Sequence, residues 1–213
     1  MAHNTVLRYS AGLFALIAAA SASASSITFN FDTILTGDTP GGSNIATLTI
    51  ADSGANTVLV TLTHNATSAT GQFISDLWLN LDPYATVTQS GQTPINKFSG
   101  ALSQGFNTEQ NAGYKFDLRQ GFAVSNAGGG VDRLKPGESI SFSLTSANLS
   151  ASMFDSTAVP TGGQRTDVAA MIHLQGIPGG GSVKLGAVVP EPASMAALAL
   201  GAIALVRRRK FRG

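Results

Sequence analysis

The chain has no cysteine, one tryptophan, three histidines and only 12% charged residues. Without cysteine there is no disulfide, no thiolate nucleophile and no zinc site built on sulfur, so the fold must stand on its apolar core. Of the histidines, His3 lies in the leader-like N-terminus, which leaves His64 and His173. No His-x-x-x-His or His-Glu pairing exists to point to zinc. His173, between Ile172 and Leu174, reads as a structural side chain hydrogen-bonded near a sheet face. No Gly-x-Ser-x-Gly occurs, so the strand-to-helix elbow that presents a hydrolase serine is missing. Neither an EF-hand spacing nor a glycine-rich calcium repeat is present.

The formal charge of +1 hides an uneven distribution. Arg8 stands near the front, and Arg207, Arg208, Arg209, Lys210 and Arg212 crowd the end. Between Ser25 and Ala187, seven basic groups face eleven acidic ones, a balance of minus four. A mildly acidic domain argues against nucleic acid as a partner.

What is present begins with a three-part leader. A polar start with His3 and Arg8 precedes the apolar run Ala11 to Ala20, and small residues follow from Ser21 to Ser25. That order is the one signal peptidase reads, with Ala22-Ser23-Ala24 as the Ala-x-Ala site and cleavage expected after Ala24. Residues 1–24 are therefore expected to be a signal helix that is removed.

From Ser26 the texture changes to threonine, serine, glycine and alternating apolar residues. Ile27, Phe29 and Phe31 share one parity, as do Ala46, Leu48 and Ile50, then Val58, Val60 and Leu62. This period of two predicts half-buried strands, and Asp52 to Asn56 supplies a hairpin turn in what reads as a meander. Further strands are predicted at Phe73–Leu81, Tyr114–Leu118, Ile140–Leu144, Val168–Leu174 and Val183–Leu185. Loops are expected at Asn107–Gly113 and Ser125–Gly130, and one short helix over Asn148–Phe154 with Asn148 as its cap. Seven to nine short strands with Gly/Pro/Asn turns predict an all-β fold, an antiparallel β-sandwich over residues 25–187. Jelly-roll and immunoglobulin-like connectivities both fit.

The tail, residues 188–213, has its own grammar. Val189, Pro190, Glu191 and Pro192 form a stiff extended elbow, because two prolines forbid a regular helix across it. Ala193 to Val206 is a run of 14 uncharged, mostly apolar residues, and Arg207, Arg208, Arg209 and Lys210 form a stop-transfer cluster after it. At about 1.5 Å per residue this helix spans about 21 Å against a hydrocarbon core of about 30 Å. Snorkelling cations and the apolar residues 187–189 make it a marginal transmembrane span, suited to a temporary hold.

Pro190-Glu191-Pro192, the short hydrophobic helix and the terminal basic cluster, in that order, closely resemble the PEP-CTERM sorting signal of Gram-negative bacteria. The resemblance implies processing near the motif by exosortase, a transpeptidase-like membrane enzyme, in a host that makes exopolysaccharide. It also implies transient anchoring in the inner membrane, followed by release to the cell surface or an extracellular matrix. Arg133-Leu-Lys-Pro-Gly-Glu138 with the strand after it, Met153-Phe-Asp155 and Ala169 to Ile177 look like a pattern common in exported domains ahead of such tails. That likeness supports one continuous sandwich and carries no chemistry.

In the domain itself no catalytic residue and no metal ligand set is expected. The one constellation with chemical interest is Asp76, Trp78, Asn80 and Asp82, which strand parity sets on the face opposite Leu77, Leu79 and Leu81. An indole ring beside carboxylates and amides is how a protein face takes a sugar such as an exopolysaccharide, the ring stacking on C–H and the polar groups accepting hydroxyls. The plainer reading packs Trp78 under a neighbouring loop. Asp76 and Asp82 would lie about 20 Å apart at roughly 3.3 Å per residue, too far for either glycosidase mechanism. Asp52, Asn56, Asp132 and Asp155 are turn oxygens suited to a structural calcium ion, although such residues more often bond their own backbone.

Overall fold

Alternation builds the first half of the molecule. The computed structural model describes residues 25–163 and 166–188. Ala22, Ala24 and the leader, and Val189 to Pro192 with Arg207 to Lys210 in the tail, lie outside the described residues. In chain order the strands are β1 Ser26–Phe31, β2 Thr33–Gly37, β3 Ala46–Gly54, β4 Thr57–His64, β5 Phe73–Leu79 and β6 Thr88–Thr93. They continue with β7 Ser103–Asn111, β8 Tyr114–Gly121, β9 Ser139–Thr145, β10 Val159–Pro160, β11 Ala170–Ile177 and β12 Gly181–Ala187.

Two antiparallel sheets face each other, as the sequence predicts. The first has the order β1-β3-β4-β9-β6 and the second the order β10-β8-β5-β11-β12-β2, with β7 paired to β8. In the first sheet Phe29, Phe31, Leu48, Ile50, Val60, Leu62, Phe142 and Leu144 all point into the interface and are buried. Fully burying each such side chain is worth about 1.5–3 kcal/mol. The opposite parity carries hydroxyls, which pair across strands: Thr57 with Thr145 at 3.1 Å and Thr63 with Ser139 at 2.8 Å. Leu77, Leu79, Ile172, Leu174, Val183 and Leu185 close the core from the second sheet. Every member of this core lies within residues 27–187, so the described chain supplies its own core.

The Asp52–Asn56 turn joins β3 to β4 as expected, tightened around Asn56 at φ 60°. Four details differ from expectation. β2 leaves the first sheet one residue after β1 and pairs with β12, so the first half is no simple meander. Asn107–Gly113 is mostly strand β7 rather than loop; a polar edge strand shows no apolar period. Ser125–Gly130 contains a helical turn, α1 Ala127–Gly130, opened by Gly128 and Gly129 at φ 59° and 73°. The helix expected over 148–154 is a 3₁₀ turn, Ala151–Phe154, preceded by Ser150, which makes no side-chain capping bond, and Asn148 itself adopts φ 60°.

At the end of β4, His64 is wholly buried, with Nδ1 3.0 Å from the Leu134 carbonyl. A carbonyl only accepts, so Nδ1 carries the proton, and Nε2, which has no partner, is the bare nitrogen. Burial lowers the His64 pKa; the Leu134 bond and the Glu138 charge oppose this and are weaker. A folded-state pKa below the usual 6.5 means that stability is complete above that value and lost as pH falls from it toward the folded value. Urea unfolding is expected to weaken between pH 7 and 5, while His64→Asn, less stable throughout, flattens that slope. An equal slope in both proteins contradicts the assignment.

Candidate functional site

Of the four candidate residues β5 carries Asp76 and Trp78, with every position of it buried, while Asn80 and Asp82 follow its end. Of the two readings of this face, the one that packs Trp78 away from water holds. β5 is a central strand with β8 on one edge and β11 on the other. Later chain packs on its outer face through Ala158 and Val168, while β10 between them joins the edge of β8 in the same sheet. This segment is tied down where Tyr114 Oη donates to the Thr166 carbonyl at 3.0 Å and Thr161 N to the Gly113 carbonyl at 2.6 Å. Here Trp78, Tyr114, Phe116, Ala158, Val168 and Met171 form a second apolar cluster. Trp78 is 2% exposed, so it offers no ring for a sugar to stack on. Strand parity distinguishes two faces but not whether a later segment covers the outer one.

The four residues separate into two places. Asp76 belongs to a polar network made by a bulge in β5. β11 pairs His173 with Asp76 and Leu174 with Ile74, which leaves Ser75 extra and turns both Ser75 and Asp76 toward the imidazole. Ser75 Oγ donates to Asp76 Oδ2 at 2.8 Å and lies 3.0 Å from His173 Nδ1. Arg119 grips Asp76 Oδ1 through Nε at 3.0 Å and a terminal nitrogen at 2.7 Å, while its guanidinium carbon sits 5.5 Å from the centre of the Trp78 ring. Burial alone would raise the Asp76 pKa, but the bonds from His173, Arg119 and Ser75 lower it overall. Burial likewise lowers the pKa of Lys184, which pairs with His173 across the sheet, against the pull of Asp76.

Ser75, His173 and Asp76 are the residue types of a hydrolytic triad, yet they are not arranged as one. Ser75 Oγ and Asp76 Oδ2 both lie on one ring nitrogen, His173 Nδ1, at 3.0 and 3.4 Å, whereas a triad histidine takes its serine and its carboxylate on opposite nitrogens. Ser75 is also 2% exposed. A cavity of about 290 Å³ is lined in part by Ser75, Asp76 and Arg119. The network ties β5, β8 and β11 together through Asp76, Arg119 and His173.

Asn80 and Asp82 line a different and larger cavity, of about 800 Å³, at the end of β5. Asp117 braces its wall: Oδ2 accepts from Leu81 N at 3.0 Å and Oδ1 from Asn107 N at 2.7 Å. Asp82 N donates to the Met153 carbonyl at 2.9 Å, tying the strand end to the turn that carries Asp155. Phe106, Asp155, Asp167 and Val188 complete much of the lining. Phe106 carries no signal in the sequence reading, since it interrupts no pattern. Only the Gly105-Phe106-Asn107-Thr108 run, one apolar residue among turn formers, hints at a presented ring.

The turn oxygens considered for calcium are scattered. Asp52 accepts from Ala151 N at 2.7 Å and from Ser25 N at 3.0 Å, and Asn56 Oδ1 from Asn148 N at 3.0 Å. Asp132 accepts from Asn96 at 2.5 Å, and Asp155 stands apart at the large cavity. Among the described residues no group of three or more His, Asp or Glu is placed to hold a metal ion.

Sheet order and core define the described residues as an antiparallel β-sandwich with one covered outer face. The tail says more: the family model described as the PEP-CTERM protein-sorting motif matches residues 188–210, so the chain carries that motif. The motif implies export, anchoring in the membrane before processing, and exosortase as the processing partner. No curated protein and no solved structure matches the chain. Among the described residues no helix is long and apolar enough to cross a membrane; the expected span, Ala193 to Val206, lies outside them.

Proposed function

We propose that the protein is a non-enzymatic component of the cell surface or of an extracellular exopolysaccharide matrix, delivered there by its sorting tail. The observation that carries this reading is the motif over residues 188–210, joined to a sandwich that buries its own core. Signal peptidase removes the leader after Ala24, the short helix holds the chain in the inner membrane, and exosortase cuts near Pro190-Glu191-Pro192. Loss of the five tail cations leaves an acidic product. Three features support a binding or structural role over catalysis: the buried Ser75, its sharing of one His173 nitrogen with Asp76, and the coverage of Trp78. An acidic, hydroxyl-rich exterior suits a hydrated matrix.

Fractionation of a native host tests the destination. The protein is expected in the outer surface or medium fraction, with a minor pool in the inner membrane. A steady-state population confined to the inner membrane contradicts it.

A further inference from the structure

The large cavity beside Asn80 has features that folding alone does not call for. Asn80 is 4% exposed, yet its Nδ2 has no hydrogen-bond partner. Leaving such a buried donor unpaired costs stability, and Asn80 is one of the residues that line the cavity. The Ser156 hydroxyl, on the same wall, is also buried and unpartnered.

Phe106, also on this wall, is 66% exposed. It is held there and does not trail in solvent. The register of β7 on β8 shifts between Gln104 and Glu109, which makes residues 105–108 a bulge. Asn107 adopts φ 55° and donates its N–H to Asp117, Thr108 Oγ1 donates to the Gly105 carbonyl at 3.0 Å, and the Tyr84 ring centre lies 6.0 Å from that of Phe106. Carboxylates of Asp82, Asp155 and Asp167 border the same space, and no basic side chain is among the described residues that line it.

A fixed aromatic ring and several acceptors around one opening, over a wall that holds two unpaired polar atoms, make up a site for a ligand with apolar C–H faces and many hydroxyls. The volume, about 800 Å³, is within the range of about 300–1,000 Å³ that small-molecule sites occupy. We infer that this cavity binds a neutral sugar segment of a glycan, stacked on Phe106, with Asp82 and Asp155 accepting from its hydroxyls. Uronic acids are disfavoured, because their carboxylates would face Asp82 and Asp155 with no lining cation to offset them. The inference rests on the surface reading only for where the glycan is met.

The test is a glycan array spanning neutral hexoses, amino sugars and uronic acids, probed with the chain from Ser25 to Val188, followed by titration calorimetry on the strongest neutral hit. Binding confined to neutral glycans is expected, about tenfold or more weaker in Phe106→Ala and similarly weakened in Asp155→Lys, with both variants melting like the parent. No binding to any glycan, a preference for uronic acids, or affinity unchanged in both variants overturns the proposal. Because the array needs no host, its failure is distinguishable from failure of the sorting account, which fractionation reads separately.

Discussion

Trp78→Ala is expected to destabilise the domain by about 3–5 kcal/mol, measured by urea unfolding at pH 7. The indole is 2% exposed and packs with Tyr114, Phe116, Val168 and Met171 under the covering segment. Its removal takes away the transfer free energy of a large side chain and leaves a void that a central strand, paired on both edges, cannot collapse to fill. Domains of this kind have about 5–15 kcal/mol in total, so the loss is a substantial part of the whole. If Trp78 instead stood on an open sugar-binding face, the same substitution would move stability by about 0.5 kcal/mol. A change that small would show the outer layer to be misassigned.

Lys97→Met is expected to cost about 3 kcal/mol. Lys97 is 6% exposed and lies on the 3₁₀ turn Ile95–Lys97, which precedes β7. Its ammonium donates to Glu138 Oε2 at 2.8 Å and to the Arg133 carbonyl at 2.9 Å, with the Val131 carbonyl at 3.4 Å. The methionine would fill the volume while leaving these acceptors without their donor. The figure sits at the low end for a broken buried pair, because Glu138 keeps part of its carboxylate in water. Burial would raise the Glu138 pKa, but the bonds from Lys97 and Lys135 lower it overall. Its contribution is thus present above the ordinary value of 4.5 and lost as pH falls through the folded value. Stability of the parent and of Lys97→Met, followed from pH 6 to 3, should converge in that acid range. A gap that stays constant would mean that Lys97 acts through packing and not through its charge.

Much of the fold was legible because it is written in local alternation. Phe29 and Phe31, Val58 to Leu62, and Ile140 to Leu144 each show a period of two that a half-buried strand imposes. The strands that escaped notice, β6 and β7, sit at edges with little apolar content, so burial leaves no mark on their sequence. β2 was hidden for another reason: its partner β12 lies about 150 residues away, and no local pattern carries that pairing.

The candidate site was only partly legible, and the reason is the same long-range dependence. Parity put Asp76, Trp78, Asn80 and Asp82 in one line, but a bulge at Ser75 and the packing of Ala158 and Val168 against Trp78 divide that line into a buried clamp, a buried ring and the wall of a cavity. Both features depend on residues some 80 to 100 positions downstream. Phe106 was invisible because a bulge, not a pattern, exposes it. The sorting motif was readable, since it is a short linear order of residues, and the family-model match over residues 188–210 agrees with that order.

The central claim is that this tail delivers the domain and is then removed. The intact mass of the protein recovered from the outer fraction of a native host tests it most directly. The account predicts a chain that begins at Ser25 and ends near Pro190-Glu191-Pro192. A product that still carries Arg207, Arg208, Arg209 and Lys210 would contradict it.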